Sequence, residues 1–275
     1  MSSSSAARTN LTSYRVKVHD NCYLGEGAFR IACEGTYIGG NRNQQEAACK
    51  RFKNKYKVLE NEFFEFDFQV ADKAIQMAQE WNDFCPYGKE ILITRGTVMK
   101  RNGCKYLVEP LIRYFTKFTS NNGWISNDSC EETEIEIMEA FCHYTYHRSG
   151  GSLIVCDLQG RYRYNAYNKK KSRFELTDPA ICSRQRLYGP TDMGEKGIES
   201  FFHNHVCNGW CHSNGERWQK PRVENCRSWF PKSSQTSMLA SKHAHQLSTC
   251  NTSFVRPLDP VYEMNYDTDY SDDSW

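Results

Sequence analysis

No run of apolar residues in this 275-residue chain approaches the roughly 20 that a membrane-crossing helix needs. The first ten residues are small or polar and lack the apolar core of a secretory leader. An excess of one charge is also missing. With 35 basic and 33 acidic residues the formal net charge is +2, so no global field argues for nucleic acid or an anionic membrane surface as a partner. No internal repeat is evident. These absences predict a cytoplasmic protein. What remains, 39% hydrophobic and 25% charged, is ordinary soluble composition, in a chain long enough for one large or two small lobes.

Cysteine is plentiful, and its thirteen copies are an odd number. Without a secretion signal, a reducing compartment favours free thiols and a metal site over disulfides. Cys49, Cys104 and Cys156 sit on apolar, strand-like segments and read as small core residues.

Residues 1–12 read as a disordered lead and residues 13–40 as strands with a turn at Gly25-Glu26-Gly27. Between Asp67 and Trp81, apolar residues at Val70, Ala74, Met77, Ala78 and Trp81 recur at helical spacing. Residues 91–98 and 105–108 flank a hairpin turn ending at Gly103. A second helix is expected over 134–144 and a third over 198–205. Beyond about Asn225, Ser, Thr, His and Gln give way to an acidic end that cannot form a core, so 226–275 reads as a flexible tail.

Three constellations carry chemistry. His205, Cys207 and Cys211 are soft ligands at close spacing; zinc takes four such groups, and His143 on the second helix is the chosen fourth, with His203 and His212 as competitors. Four protein ligands would leave no open position, which argues for a structural ion and against a zinc-dependent hydrolase. Asp157, at the end of the apolar strand that starts at Leu153, is followed by Gln159 and Gly160 and later by Asp178-Pro179. Gln159 and Asp178 make an oxygen set suited to magnesium. Lys50, among the buried-type neighbours Ala48, Cys49 and Phe52, needs an anionic partner such as a nucleotide phosphate or a carboxylate. Gly25 and Gly27 could let backbone N–H groups approach phosphate, with Arg30 adding charge; an ordinary hairpin loop explains them equally well.

Taken in order, nine blocks over residues 13–215 resemble the alpha-kinase family of atypical protein kinases. They are Gly25 to Arg30, Ala48 to Phe52, Asp67 to Asn82, Tyr106 to Pro110, Lys117 to Gly123, Ala140 to Tyr146, Gly151 to Gly160, Leu176 to Pro179, and Phe201 to Cys211. The resemblance implies a bilobal, protein-kinase-like α+β fold: a β-rich N-lobe over about 13–109 and a zinc-stapled C-lobe over about 110–225. It implies transfer of the ATP γ-phosphate to protein serine or threonine. Lys50 then matches the ATP-phosphate lysine, Arg30 the arginine of the N-lobe loop, and Glu109 and Ile112 the linker that contacts adenine. Asp157 matches the catalytic aspartate, Gln159 and Asp178 the magnesium ligands, and His143, His205, Cys207 and Cys211 the structural zinc set. Asp67 matches an acidic position at the start of the N-lobe helix. ATP, Mg2+, Zn2+ and a protein substrate are the implied partners. A catalytically weak, zinc-stapled nucleotide-binding scaffold is the alternative.

Two departures stand out. Residues 161–175 are longer than the link in several relatives, which an extended hairpin with a basic tip would explain. Asp192 stands in the Gly-rich run where many relatives have Asn, and would add charge near the phosphate site. The Ser/Thr content of the tail invites autophosphorylation and docking back onto the kinase lobes, and leaves room for self-association.

Overall fold

The computed structural model describes residues 15–27, 29–83, 89–128, 132–213 and 215–239. The expected lead over 1–12, Ala28 of the Gly-rich turn, and the tail beyond 239 lie outside them.

An antiparallel sheet forms the first layer. Its strands are β1 (Val16–Glu26), β2 (Arg30–Tyr37), β3 (Glu46–Phe52), β5 (Thr97–Arg101) and β6 (Cys104–Pro110), in the order β1-β2-β3-β6-β5. Strand alternation divides its side chains between two faces. Val16, Val18, Cys49 and Val108 belong to one buried cluster. Phe52 and Leu107 pack in another with Phe63 and Phe64 of the helix α1 (Glu60–Asn82). Gly25 and Glu26 lie within β1, Gly25 opposite Ala32, so the expected turn does not begin there; beyond the strand, Gly27 N–H donates to the Arg30 carbonyl at 2.9 Å.

Helix α1 is longer than its apolar periodicity predicts. Its first turn carries Glu60 and Glu62, which suit the positive end of a helix dipole but add nothing to an apolar count. Its later buried residues, Val70 through Trp81, belong to a different core, shared with α2 (Glu132–Arg148) and α3 (Glu195–Asn204). That larger core buries α2 on nearly every side from Ile135 to Tyr146, as expected of a central helix.

The predicted hairpin forms between β5 and β6, with Asn102 and Gly103 both at positive φ in its turn. Its first arm is shorter than expected, because Ile91 belongs to a separate strand, β4 (Glu90–Ile93). That strand pairs in parallel with β10 (Arg173–Thr177) in a sheet of order β4-β10-β9-β7, with β9 at Gln159–Arg163 and β7 at Thr116–Lys117. Residues 161–175 are therefore the arms and tip of the β9–β10 hairpin, as the insertion's length suggests. The remaining strands of the site, β8 (Leu153–Cys156) and β11 (Ala180–Ser183), form an antiparallel pair. The buried clusters are not consecutive in sequence: α1 packs into two of them, and β4 joins the larger core ahead of β5 and β6.

Composition predicts a solvated extension from residue 226, yet residues 226–239 follow the protein surface. Cys226, Phe230 and Leu239 pack on the larger core, and Met238 on the cluster around Phe52. The Trp229 N–H donates to Ser200 Oγ at 3.0 Å.

Candidate active site

Two ribbons cross at one level to build the site. Strand β8 leads through Asp157 and Leu158 into β9, while β10 leads through Asp178 and Pro179 into β11. Because β8 pairs with β11 and β9 with β10, the registers Cys156↔Ala180 and Gln159↔Thr177 set the two corners side by side. Each turns on a left-handed aspartate, Asp157 at φ 57° and Asp178 at φ 48°. Aspartate tolerates this region better than most residues because its short carboxylate can bond locally. Gly160 is held by a close approach: at φ 149°, a Cβ there would overlap the Glu175 carbonyl.

These corners form the floor of a cleft of about 350 Å³, whose roof includes Gly25, Ala32 and Ala48 of the first sheet. Lys50 reaches from β3 to Asp178 and lies 2.5 Å from Glu109 Oε2. Burial opposes the ammonium, but Asp178 and Glu109 more than offset it and hold the Lys50 pKa above the usual lysine value. Burial, then Asp178, raises Glu109, whereas Lys50 overcomes burial to lower Asp178. Gln159 donates through Nε2 to the Asp178 carbonyl at 3.2 Å, and its buried Oε1 has no protein partner. That amide oxygen and the 39%-exposed carboxylate of Asp178 suit a hard cation such as magnesium.

Asp157 is held from the opposite side. Lys117 Nζ, on β7, lies 2.7 Å from its Oδ1, with the side chains 9% and 4% exposed. Arg30 and Ile112 also line the cleft. The Arg30 guanidinium makes a two-pronged contact with Asp67 of α1, at 3.2 and 2.5 Å, and covers the Phe52 ring at 4.6 Å. It thus braces the sheet against the helix.

A second constellation lies away from the cleft. His143 of α2 and His205, Cys207 and Cys211 after α3 place four ligand atoms within 4.8 Å of one another. His205 Nδ1 faces Glu139 Oε2 at 2.7 Å and His143 Nε2 faces the Gln219 carbonyl at 3.0 Å. Each acceptor takes a ring N–H and leaves a bare nitrogen inward, His205 Nε2 to His143 Nδ1 at 3.2 Å. Cys207 Sγ lies 3.7 Å from His143 Nδ1 and Cys211 Sγ 3.5 Å from His205 Nε2. A zinc tetrahedron, with bonds of about 2.0–2.1 Å to nitrogen and about 2.3 Å to sulfur, has edges of roughly 3.3–3.8 Å. Burial and the neighbouring His205 push His143 down to about 4, so its ring is neutral; burial pushes the Cys211 thiol up to about 12, so a thiolate there calls for a cation. These residues therefore fit zinc. Of the competitors, His203 instead bonds the Cys226 carbonyl at 3.3 Å, and His212 begins a short strand, His212–Ser213.

The alpha-kinase family model matches residues 25–211, a span that includes Lys50, Glu109, Asp157, Gln159 and Asp178 of the cleft and the four-ligand cluster. The chain belongs to the alpha-kinase family. Relatives include alpha-protein kinase vwkA of Dictyostelium discoideum, 29% identical over 78% of this chain and 33% of that protein. Myosin heavy chain kinase B of the same organism is 27% identical over 74% of this chain and 26% of its own length. The chain thus spans a third or less of these relatives. Among solved structures, the apoenzyme alpha-kinase domain of myosin-II heavy chain kinase A aligns with TM-score 0.58 at 21% identity, covering 73% of this chain and 88% of that one. Its ADP complex aligns at 0.57 and 24%, covering 71% and 86%.

Within the alpha-kinase region, Lys50, Glu109, Asp157, Gln159 and Asp178 surround one cleft, although more than a hundred residues separate the first from the last. Glu109 turns its carboxylate to Lys50, where the sequence suggests an adenine contact. Asp192 requires a correction. It does not line the cleft: it is fully buried, and its oxygens accept from Ser183 N–H and Oγ–H, Tyr188 N–H and Gly194 N–H at 2.5–3.2 Å. Lys117 has no role in the sequence beyond its place in a motif; a lysine next to an aromatic on a two-residue strand gives no sign of burial.

Proposed function

We propose that the chain is an ATP-dependent protein serine/threonine kinase of the alpha type. The observation carrying this reading is the contact of Lys50 with Asp178 in a cleft that also holds Asp157 and Gln159. Phosphoryl transfer needs positioning and charge neutralisation more than covalent chemistry, and this set supplies both. The ADP complex of the related kinase A domain supports a nucleotide in the same fold.

In this reading Lys50, kept charged by two carboxylates, exchanges them for nucleotide phosphates. Gln159 and Asp178 would hold magnesium, which supplies charge neutralisation to the phosphates. Asp157 accepts or steers the proton of the acceptor hydroxyl, and Lys117 fixes the direction of its carboxylate. His143, His205, Cys207 and Cys211 would hold zinc as a structural staple between α2 and the segment after α3; four protein ligands leave it no catalytic position.

The test is phosphate transfer from labelled magnesium-ATP to a basic test protein. The parent protein labels it and Asp157→Ala loses the activity while still binding nucleotide. Labelling by that variant at the parental rate sinks the role of Asp157. Nucleotide binding without turnover by the parent favours the scaffold reading.

A further inference from the structure

The β9–β10 hairpin carries more positive charge than the fold around it neutralises. Its register sets Arg163 directly opposite Arg173 and Arg161 directly opposite Glu175. All three guanidiniums turn to that one carboxylate, at 2.8 Å for Arg161, 3.4 Å for Arg163 and 3.1 Å for Arg173. Like charges facing each other across strands are unfavourable, and one glutamate cannot balance three arginines. Lys169, Lys170 and Lys171 add to the excess at the tip, so six bases meet one acid between residues 161 and 175. Aromatic surface lies beside this charge. Arg161 and Arg163 line a groove of about 530 Å³ with Tyr114, Thr116 and Tyr164, and Glu134 is the one acid among its lining residues. Tyr114 and Tyr164 are 69% and 60% exposed, and Tyr167 near the tip is fully exposed. The other basic run is better satisfied: Lys53 meets Glu26 at 3.3 Å, Lys55 covers the Tyr56 ring at 4.8 Å, and Lys57 donates to the Gly103 carbonyl at 3.1 Å.

The same chain contains a stretch of opposite charge. Asp259, Glu263, Asp267, Asp269, Asp272 and Asp273 fall within residues 258–275, which hold no lysine or arginine. The net charge of +2 is the balance of −6 there against +8 over residues 1–257. Tyr262, Tyr266 and Tyr270 recur at every fourth residue among these acids, an aromatic match for a groove of arginine and tyrosine. Position favours the hairpin as well. The described residues end at Leu239, and three residues earlier Thr236 Oγ1 accepts from Lys117 Nζ at 3.0 Å. Lys117 pairs with Gln159, the first residue of β9, so the chain departs near the foot of the hairpin. Residues 240–257 reach roughly 60 Å when extended. That exceeds the width of about 45 Å expected of a compact domain of this size.

We propose that residues 258–275 dock on the β9–β10 hairpin of their own chain. Their acids meet Arg163, Arg173 and the three tip lysines, and their tyrosines enter the groove beside Tyr114 and Tyr164. The contact is ionic and aromatic, needs no phosphoryl transfer and uses none of the cleft or zinc-type residues, so it stands apart from the kinase reading. A short tether holds its cargo at an effective concentration of about 1 mM. With an intrinsic dissociation constant near 0.1 mM, docking makes the hairpin about ten times less available to any other anionic polypeptide. The acidic stretch is thus an internal competitor that sets which partners the hairpin can take.

The experiment treats the full chain with a carbodiimide, which joins lysine to a touching carboxylate, and maps the joined residues by mass spectrometry. Amide links are expected between Lys169–Lys171 and the acids of 259–273, with a yield unchanged on dilution and reduced in about 1 M salt, where screening acts within about 3 Å. Lys169→Glu, Lys170→Glu and Lys171→Glu together should abolish these links. Adding Asp267→Lys, Asp269→Lys, Asp272→Lys and Asp273→Lys to that variant should restore links between the exchanged positions, with the melting temperature following the quality of the fold in each. In parallel, labelled polyglutamate should bind a variant with Asp267→Asn, Asp269→Asn, Asp272→Asn and Asp273→Asn about tenfold more tightly than the parent. Links to Lys53, Lys55 or Lys57 instead would place the acids on another surface and overturn the proposal. Links that disappear on dilution would assign the hairpin to a second copy, which also overturns it. Equal polyglutamate binding by parent and variant, without links, makes the hairpin a site for an external acidic partner only. Neither links nor binding leaves a solvated hairpin, and the proposal fails in both cases.

Discussion

Replacing Lys50 by methionine removes a charge and little volume, so it isolates the electrostatics of the cleft. Lys50 is 16% exposed, its partner Glu109 is 5% exposed, and Asp178 is 39% exposed. Removing one member of a buried pair costs roughly 3–5 kcal/mol because the other charge stays behind. Water can take over at Asp178 but scarcely at Glu109, which brings the expected loss to about 2–4 kcal/mol, mostly from Glu109. In a chain of this size that corresponds to a melting temperature lower by about 5–12 °C. The pH dependence gives the sharper test. Burial and Asp178 already raise Glu109 above the ordinary carboxylate value, and loss of Lys50 raises it further. A carboxyl whose folded pKa exceeds its unfolded value favours the fold when protonated, so stability falls as pH rises through the two values. The penalty of Lys50→Met should therefore shrink on going from about pH 7.5 to about pH 5, near the ordinary glutamate range. Glu109→Gln in the same chain should recover at least about 1 kcal/mol, as expected for coupled neighbours. Calorimetric melts of the parent, both single variants and the double variant across that range would show it. A Lys50→Met protein that melts with the parent, or whose penalty grows towards acid, would contradict this account of the cleft.

Other expectations concern stability. Removing zinc by chelation, or His205→Ala, should unfold the larger lobe rather than slow chemistry alone, because structural zinc binds with about 10–16 kcal/mol, comparable to a whole domain's stability. Metal content and melting temperature measured together check this; loss of metal with an unchanged melt counts against it. Glu175 is lowered despite burial because Arg161, Arg173 and Arg163 surround it. Its contribution is then present above the ordinary carboxylate value and lost as pH falls through the folded one. Glu175→Gln should cost about 1 kcal/mol at neutral pH, and the gap to the parent should close below about pH 4. Asp192→Ala leaves four donors without their acceptor and should lower the denaturation free energy by about 2–4 kcal/mol. An unchanged midpoint in a urea titration would show that water replaces the carboxylate.

What the sequence made legible was chemistry confined to short stretches. The strand-end position of Asp157, the ligand spacing of Cys207 and Cys211, the helical stripe from Val70 to Trp81 and the Asn102-Gly103 turn each follow from local rules, and the motif order relates them. Contacts between distant segments were not legible. The parallel pairing of Ile91 with Phe174 spans some eighty residues and carries no local sign. The left-handed corners at Asp157 and Asp178 look like any turn until strand registers set them side by side. Residues 233–239 read as solvated because their composition is polar, and they dock through backbone groups that side-chain hydrophobicity does not report. Asp192 misled for a related reason: a carboxylate in a Gly-rich run suggests a ligand, but the nearby N–H groups of its own turn claim it first.

The double allegiance of α1 bears on how this protein can be divided. A cut after residue 109 would leave the smaller fragment with the stripe of Val70, Ala74, Ile75 and Trp81 bared to water. It would also take from the larger fragment the strand that borders β10. Neither piece could close its own interior, so the two halves should not reassemble as independently folding modules. The Arg30–Asp67 brace ties the first sheet to this same rod, so a displacement of the sheet against the larger core would have to carry the helix along or break that contact.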